Sequence, residues 1–265
     1  MADKKPLNAL MLGDVCGQPG LRALFVGLKD LVKETKADIV VVNGENAADG
    51  FGLSVSQMEQ LFSLGVDVIT SGNHIWQQDD LRPRLDSETR LLRPANYPSG
   101  APGHGSVVVD TKLSPVCVLN LQGRVEMPEI DSPFAVGLDL VKRSRKQTPV
   151  VLVDFHAEAT DEKEALSSYL DGMVSVVVGT HTHVQTADEK ILPKGTAYIT
   201  DIGMCGPRDS VIGSDPQVAV QKQLSQMPLR NPIADHSPMI NGVLVSIDVE
   251  SGKALSITRI RKDML

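Results

Sequence analysis

Apolar residues fall along the chain in short runs rather than long ones. Ten of these runs read as buried strands: residues 7–12, 38–42, 66–70, 107–110, 116–121, 150–154, 174–179, 197–200, 242–249 and 254–260. Between the early runs, apolar positions recur at helical spacing. Leu21, Leu24, Leu28 and Leu31 define one amphipathic helix. Val55, Met58 and Leu61 define a second, with Ser54 placed to cap it. Strands alternating with helices predict an α/β fold. Later runs are joined by short Gly, Pro or Ser turns, and residues 247–254 read as a hairpin turning at Ser251-Gly252. This mixture favours two packed sheets with helices outside over one doubly wound parallel sheet. Residues 94–105 and 204–216 read as irregular. Candidate site residues lie on both sides of the first stretch, so one domain spanning residues 1–265 is expected.

Polar residues capable of binding metal collect where the predicted strands end. Five segments stand out: Gly13-Asp14, Asn43-Gly44-Glu45-Asn46, Gly72-Asn73-His74, Asp154-Phe155-His156 and Gly179-Thr180-His181-Thr182-His183. Taken singly, each has a plainer explanation. An Asp or Asn after a strand is usually a turn residue, and a lone His such as His156 is usually structural. His181 and His183 alternate, so on a strand they share one face. Jointly the pattern is harder to dismiss: four of the six histidines sit at predicted strand ends, and only His104 and His236 do not. In open α/β sheets, ligands gather outside the carboxyl ends of the strands.

Asp14, Glu45, Asn46, Asn73, His156, His181 and His183 offer more donors than one closed metal site uses. A Glu45 carboxylate shared between two ions accounts for the surplus. Ion pairs roughly 3.5–4 Å apart are a common device for hydrolysing phosphate esters. The donors are nitrogen and oxygen without thiolate, which suits iron or manganese, with zinc as an alternative.

Composition narrows the substrate. The net charge is −7 and aromatics make up 3% of residues, so neither a global basic field nor a stacking platform for nucleic acid is expected. A small phosphate ester remains compatible, because bound cations reverse the local charge. Three cysteines (Cys16, Cys117 and Cys205) do not make a disulfide framework. No apolar run approaches the roughly 20 residues that span a bilayer. A cytoplasmic location without membrane contact is expected. Arg124 and Arg208 are candidate phosphate contacts from loop-like sequence. Glu158, Thr160 and Lys163 read either as caps of a following helix or as groups that orient metal ligands. Cys16 and Cys205 read as small buried residues, and Trp76 as core packing.

The five segments together resemble the signature of the calcineurin-like metallophosphoesterases. More narrowly, Asn43-Gly44-Glu45-Asn46-Ala47-Ala48, Gly72-Asn73-His74-Ile75-Trp76, Asp154-Phe155-His156-Ala157-Glu158-Ala159-Thr160 and Thr180-His181-Thr182-His183-Val184-Gln185-Thr186-Ala187-Asp188 resemble the YmdB-like bacterial phosphodiesterases. So does Thr200-Asp201-Ile202-Gly203-Met204, and the resemblance runs from about residue 7 to residue 261. It implies a four-layer α-β-β-α sandwich and a homo-oligomer. It also implies that Asp14, Glu45, Asn46 and His183 hold one metal, and Glu45, Asn73, His156 and His181 the other. His74 would stand beside the metals as general acid. Cys16 replaces a histidine common in the wider superfamily, and Glu45 replaces its usual bridging Asp. The implied reaction is hydrolysis of a small phosphodiester, with 2′,3′-cyclic nucleotides as the substrate class, by a metal-bridging hydroxide. A phosphomonoesterase or 5′-nucleotidase using the same metals, and a metal-binding regulatory protein, are the rival readings.

Overall fold

The computed structural model describes residues 5–264. In chain order the strands are β1 (Leu7–Leu12), β2 (Asp14–Val15), β3 (Ile39–Asn43), β4 (Val68–Thr70), β5 (Ser106–Asp110), β6 (Pro115–Gln122), β7 (Val151–His156), β8 (Val176–Thr180), β9 (Lys190–Ile191), β10 (Ala197–Ile199), β11 (Met204–Pro207), β12 (Pro238–Ile247) and β13 (Ala254–Asp263). The α-helices are α1 (Gly17–Thr35), α2 (Val55–Ser63), α3 (Pro133–Ser144), α4 (Thr160–Leu170) and α5 (Pro216–Ser225). Strands β2-β11-β12-β1-β3-β4 form one sheet, with β13 added beside β12. Strands β5-β6-β7-β8-β10-β9 form the other. The alternative of a single parallel sheet is thereby set aside.

Strand periodicity explains how the sheets face each other. Successive side chains on a strand point to opposite faces. On β1, Leu7, Ala9 and Met11 join a core that also contains Val116, Val118, Leu152, Val176 and Val178 of the second sheet. Their neighbours Leu10 and Leu12 instead pack with Leu21, Leu24 and Leu28 of α1. On the far side, Leu119, Val151, Val153 and Val177 pack with Val141 of α3 and Leu166 of α4. The order of layers is therefore α-β-β-α, as expected.

Strands β1, β3 and β4 run parallel, as do β6, β7, β8 and β10. Ser54 caps α2 as read from the sequence, in a reciprocal capping box with Gln57. The C-terminal hairpin also forms, closed by Gly252 N–H donating to the Asp248 carbonyl at 2.8 Å. Residues 204–207 differ from expectation. They form β11, parallel to β2 and antiparallel to the start of β12. Four residues containing Gly and Pro carry no strand pattern of their own; distant partners impose it. Helices α3 to α5 are also not marked by apolar spacing, since each buries only a narrow stripe. The last starts where Asp215 accepts from the amides of Gln217 and Val218.

The inter-sheet core carries the stability of this arrangement. Leu152 is fully buried there, whereas Leu224 on α5 is 82% exposed. Leu152→Ala should cost about 2–5 kcal/mol by losing apolar burial and leaving a cavity. Leu224→Ala should change stability by less than about 0.5 kcal/mol. Urea unfolding midpoints of the two variants check this.

Candidate metal centre

The inner faces of both sheets turn polar at their carboxyl ends. Asn43 and Thr70 are register neighbours on β3 and β4. Across the core, His156 and Thr180 are neighbours on β7 and β8, with Asp154 two residues earlier on the same face. All five are buried. The Asp154 carboxylate joins them. It accepts from Asn43 Nδ2 at 3.0 Å and Thr180 Oγ1 at 2.7 Å, and Thr70 Oγ1 also donates to it. Asn43 Oδ1 in turn accepts the Glu45 N–H at 3.1 Å, which fixes the amide and the start of the Glu45 loop. Burial pushes the Asp154 pKa up, against the pull of its hydroxyl and amide donors.

This network sets the tautomer of His156. Thr180 spends its one hydroxyl proton on Asp154, so it accepts from His156 Nδ1–H at 2.9 Å. The ring's Nε2 then carries a lone pair. The other two histidines are set the same way through their outer nitrogens. His181 Nε2 meets Glu158 Oε2 at 3.1 Å, and His183 Nδ1 donates to the Ile212 carbonyl at 2.8 Å. Each ring therefore turns its remaining nitrogen inward, as metal-ligating histidines do.

Those inward nitrogens converge on buried carboxylates. His156 Nε2 lies 2.9 Å from Glu45 Oε1 and 3.0 Å from His181 Nδ1. Glu45, His156 and His181 present ligand atoms all within 4.8 Å of one another. Three bases crowded this closely require a shared proton or a cation. Burial disfavours charge on Glu45, but the facing His156 draws its pKa down to about 2. Burial, and His156 when it takes up a proton in place of a cation, push His181 down to about 3.

On the other flank, Asp14 Oδ1 is 3.8 Å from His156 Nδ1 and 4.0 Å from His183 Nε2. Asp14 Oδ1 and Asn73 Oδ1 are both buried oxygens without a hydrogen-bond partner. An orphaned buried acceptor is costly unless a cation or water satisfies it. The donor set and these two orphans fit metal ions. Gly72 stands at the closest approach: a Cβ there would overlap His156 and Glu45 Oε2, so only glycine leaves the ligand atoms in place.

Asn46, expected as a metal ligand, also makes two contacts of its own. Its Oδ1 accepts from His74 Nδ1 at 2.8 Å, and its Nδ2 faces His183 Nε2 at 3.0 Å. It thus supplies the group that orients His74. Glu45 Oε2 accepts the His74 backbone N–H at 3.2 Å. The His181–His183 loop is strained, with both histidines left-handed at φ 101 and φ 66. Its anchor is Asp201, which accepts Thr182 Oγ1 at 2.8 Å and the buried Lys163 ammonium at 3.0 Å. Glu158 and Lys163 hold ligand-bearing chain in place, while neither caps α4, whose start has no side-chain cap.

The ligand cluster opens into a cavity of about 410 Å³ lined by Glu45, Asn46, His74, His181 and His183. Arg124 lines a separate cavity with Glu162, away from these residues. Arg208 shares a neighbouring cavity with His183 but spends its guanidinium on Asp209 and Asp263. Cys16 and Cys205 are buried and form no disulfide; Cys16 Sγ lies 3.6 Å from His183 Nδ1, and Cys205 Sγ donates to the Asn241 carbonyl at 3.5 Å. Trp76 packs against the core that contains Met58 and Leu61 of α2. Asp154, Thr180 and Asp201 stand in the family-like segments but carried no role from the sequence, and nothing there marked the Ile212 carbonyl. The Asp154-x-His156 alternation was the one available sign, since it puts both side chains on one face.

Residues 10–260 match the family described as YmdB-like protein. The chain belongs to that family. A 2′,3′-cyclic-nucleotide 2′-phosphodiesterase of Bacillus subtilis is 43% identical over 254 residues, covering 96% of each chain. A crystal structure of a novel phosphatase from Mycoplasma pneumoniae superposes with a TM-score of 0.92 at 35% identity, covering 98% of this chain and 94% of that one. A hypothetical protein from Thermus thermophilus gives 0.91 at 37% identity, covering 98% and 100%.

Two measurements follow from this geometry. Thr180→Val removes the hydroxyl between Asp154 and His156 while keeping the strand, and should weaken metal affinity about 10- to 100-fold. Competition with a chelating dye reads that loss. Burial raises the Asp14 pKa to about 6, so protons compete with a cation for this carboxylate up to that pH. Manganese affinity should therefore fall as pH drops through about 6, as titration calorimetry at several pH values would show.

Proposed function

We propose that this protein is a dinuclear metal-dependent phosphodiesterase acting on small phosphodiesters, 2′,3′-cyclic nucleotides among them. The observation that carries the reading is the inward set of histidine nitrogens, His156 and His181 at Glu45 and His183 facing Asp14, with each outer nitrogen held by its own acceptor. The naming of the Bacillus subtilis relative supports the cyclic-nucleotide class. Asp14, Glu45 and His183 would hold one ion, and Glu45, Asn73, His156 and His181 the other. Asn46, whose Oδ1 accepts from His74 Nδ1, would add a further oxygen ligand to the first ion. When bound, two such ions supply Lewis acidity toward the phosphoryl oxygens and lower the pKa of water. The nitrogen and oxygen donor set suits iron, manganese or zinc, and we take iron or manganese as the ions. The three free, buried cysteines suit a reducing compartment, and we place the protein in the cytoplasm as a single-domain homo-oligomer.

His74 performs the proton transfer. Asn46 Oδ1 accepts its Nδ1–H, so Nε2 is the nitrogen that hands a proton to the leaving oxygen. Burial lowers the His74 pKa, chiefly by disfavouring the imidazolium. The acid form is stronger for that reason but is depleted as pH rises. Asp154 and Thr180 hold His156 in its ligand tautomer throughout. Glu158 does the same for His181. The anionic substrate is attracted to this site only once cations offset Asp14 and Glu45.

The test is a substrate panel on anaerobically purified protein with elemental analysis. Cyclic diesters should be hydrolysed in preference to monoesters, and chelation should abolish turnover. His74→Ala should lower kcat about 10²- to 10⁴-fold with metal content unchanged. A faster reaction with monoesters would favour the phosphatase reading, for which the Mycoplasma pneumoniae relative's description speaks. Metal loss in step with activity in the His74 variant would remove it from the acid role.

A further inference from the structure

The cavity in front of the ligands is within the roughly 300–1,000 Å³ typical of small-molecule sites. Its volume is about 410 Å³, and part of its wall is apolar: Phe51, Ile212 and Leu229 line it together with Asn231. Phe51 stands on a tight turn between two left-handed glycines, Gly50 at φ 88 and Gly52 at φ 83. Its ring rests against the His74 ring, with centroids 5.1 Å apart. Even so, 52% of Phe51 is exposed, and Ile212 is 56% exposed. Asn231 Oδ1 is buried and has no hydrogen-bond partner. Ile233 approaches Gly50 closely enough to tie the Phe51 turn to the segment bearing Asn231. An open aromatic face, an aliphatic wall and an unused acceptor together match a flat, partly polar ligand.

We propose that Phe51 is a stacking platform for the substrate's nucleobase and that Asn231 Oδ1 accepts from the base's exocyclic amine. The substrate class is then a nucleoside 2′,3′-cyclic phosphate whose base carries an exocyclic amine, unlike uracil, and not a simple alkyl diester. This inference rests on the phosphodiesterase reading above. The placement agrees with the bond that the name of the Bacillus subtilis relative gives as broken, the 2′ one. The base is attached to C1′, and the adjacent carbon carries O2′. A base stacked on the ring that touches His74 brings O2′, rather than O3′, toward the acid. The oxygen of water bonds to phosphorus, and the P–O2′ bond breaks with its electron pair on O2′. His74 protonates O2′, and the proton released by water replaces it. The product is the nucleoside 3′-phosphate.

The experiment compares kcat/KM for adenosine 2′,3′-cyclic phosphate and for methyl riboside 2′,3′-cyclic phosphate, which lacks a base, using the full manganese-loaded chain. Base–aromatic stacking is worth about 1–3 kcal/mol, or roughly 5- to 150-fold. Wild type should prefer the nucleotide by about that factor. Phe51→Leu keeps an apolar side chain against His74 but removes the ring; it should erase most of the preference and yield some 2′-phosphate. Phe51→Trp should retain the preference. Asn231→Leu should narrow the gap between the adenosine and uridine substrates. Equal losses on both substrates in Phe51→Leu would show that Phe51 merely supports His74, and unchanged preference would show that no base lies there; either overturns the proposal. If wild type hydrolyses no cyclic phosphate, the phosphodiesterase reading fails. The base subsite is then read by calorimetry with adenosine 3′-phosphate and ribose 3-phosphate. A nucleotide preference lost in Phe51→Leu supports the subsite, and equal affinities overturn it.

Discussion

The structure depends most on one buried carboxylate. Asp154 stands between the sheets and accepts from Asn43 and Thr70 on one and from Thr180 on the other. Removing a carboxylate from water costs several kcal/mol unless its lone pairs are filled, and here three donors fill them. The same contacts align the carboxyl ends of strands from both sheets. They also set the proton on His156, so the ligand chemistry and the packing of the sheets have a common origin.

Around that fixed point the remaining donors arrive by strand geometry. Parallel strands in each sheet end at the same level, so the loops after β1, β3, β4, β7 and β8 meet at one edge of the sandwich. The histidine loop after β8 needs more than this. Two left-handed residues put His181 and His183 inward, and the buried Lys163–Asp201 pair with Thr182 holds that turn. Replacing such a pair with apolar groups is often neutral for stability, so its value here lies in placing the loop.

Much of this was legible along the chain, because donors at strand ends are local features. Asp14, Glu45, Asn73, His156, His181 and His183 could be gathered before any coordinates, and so could the α2 cap and the C-terminal hairpin. What stayed hidden depends on partners far away. Strand β11 exists only through β2 and β12. Asp154 reads as an ordinary strand residue until the facing sheet brings Asn43 and Thr70 to it. The Ile212 contribution is a backbone carbonyl, invisible to residue type. Asn46 carried the right chemistry for a ligand, but its contact with His74 depends on how two loops meet. Arg124 lay in a loop whose direction no local pattern determines.

Strand β1 lies between β3 and β12, and β2 pairs only with β11. Residues at the beginning of the chain thus find their sheet neighbours near its end. During synthesis, the N-terminal half leaves the ribosome with an unfinished sheet edge, which stays open until the last fifth of the polypeptide emerges. The second sheet, built from a continuous middle stretch, has no such wait. The strands that flank Asp14 are therefore complete only once the C-terminal segment is in place, after the chain carrying the second-sheet histidines has been made.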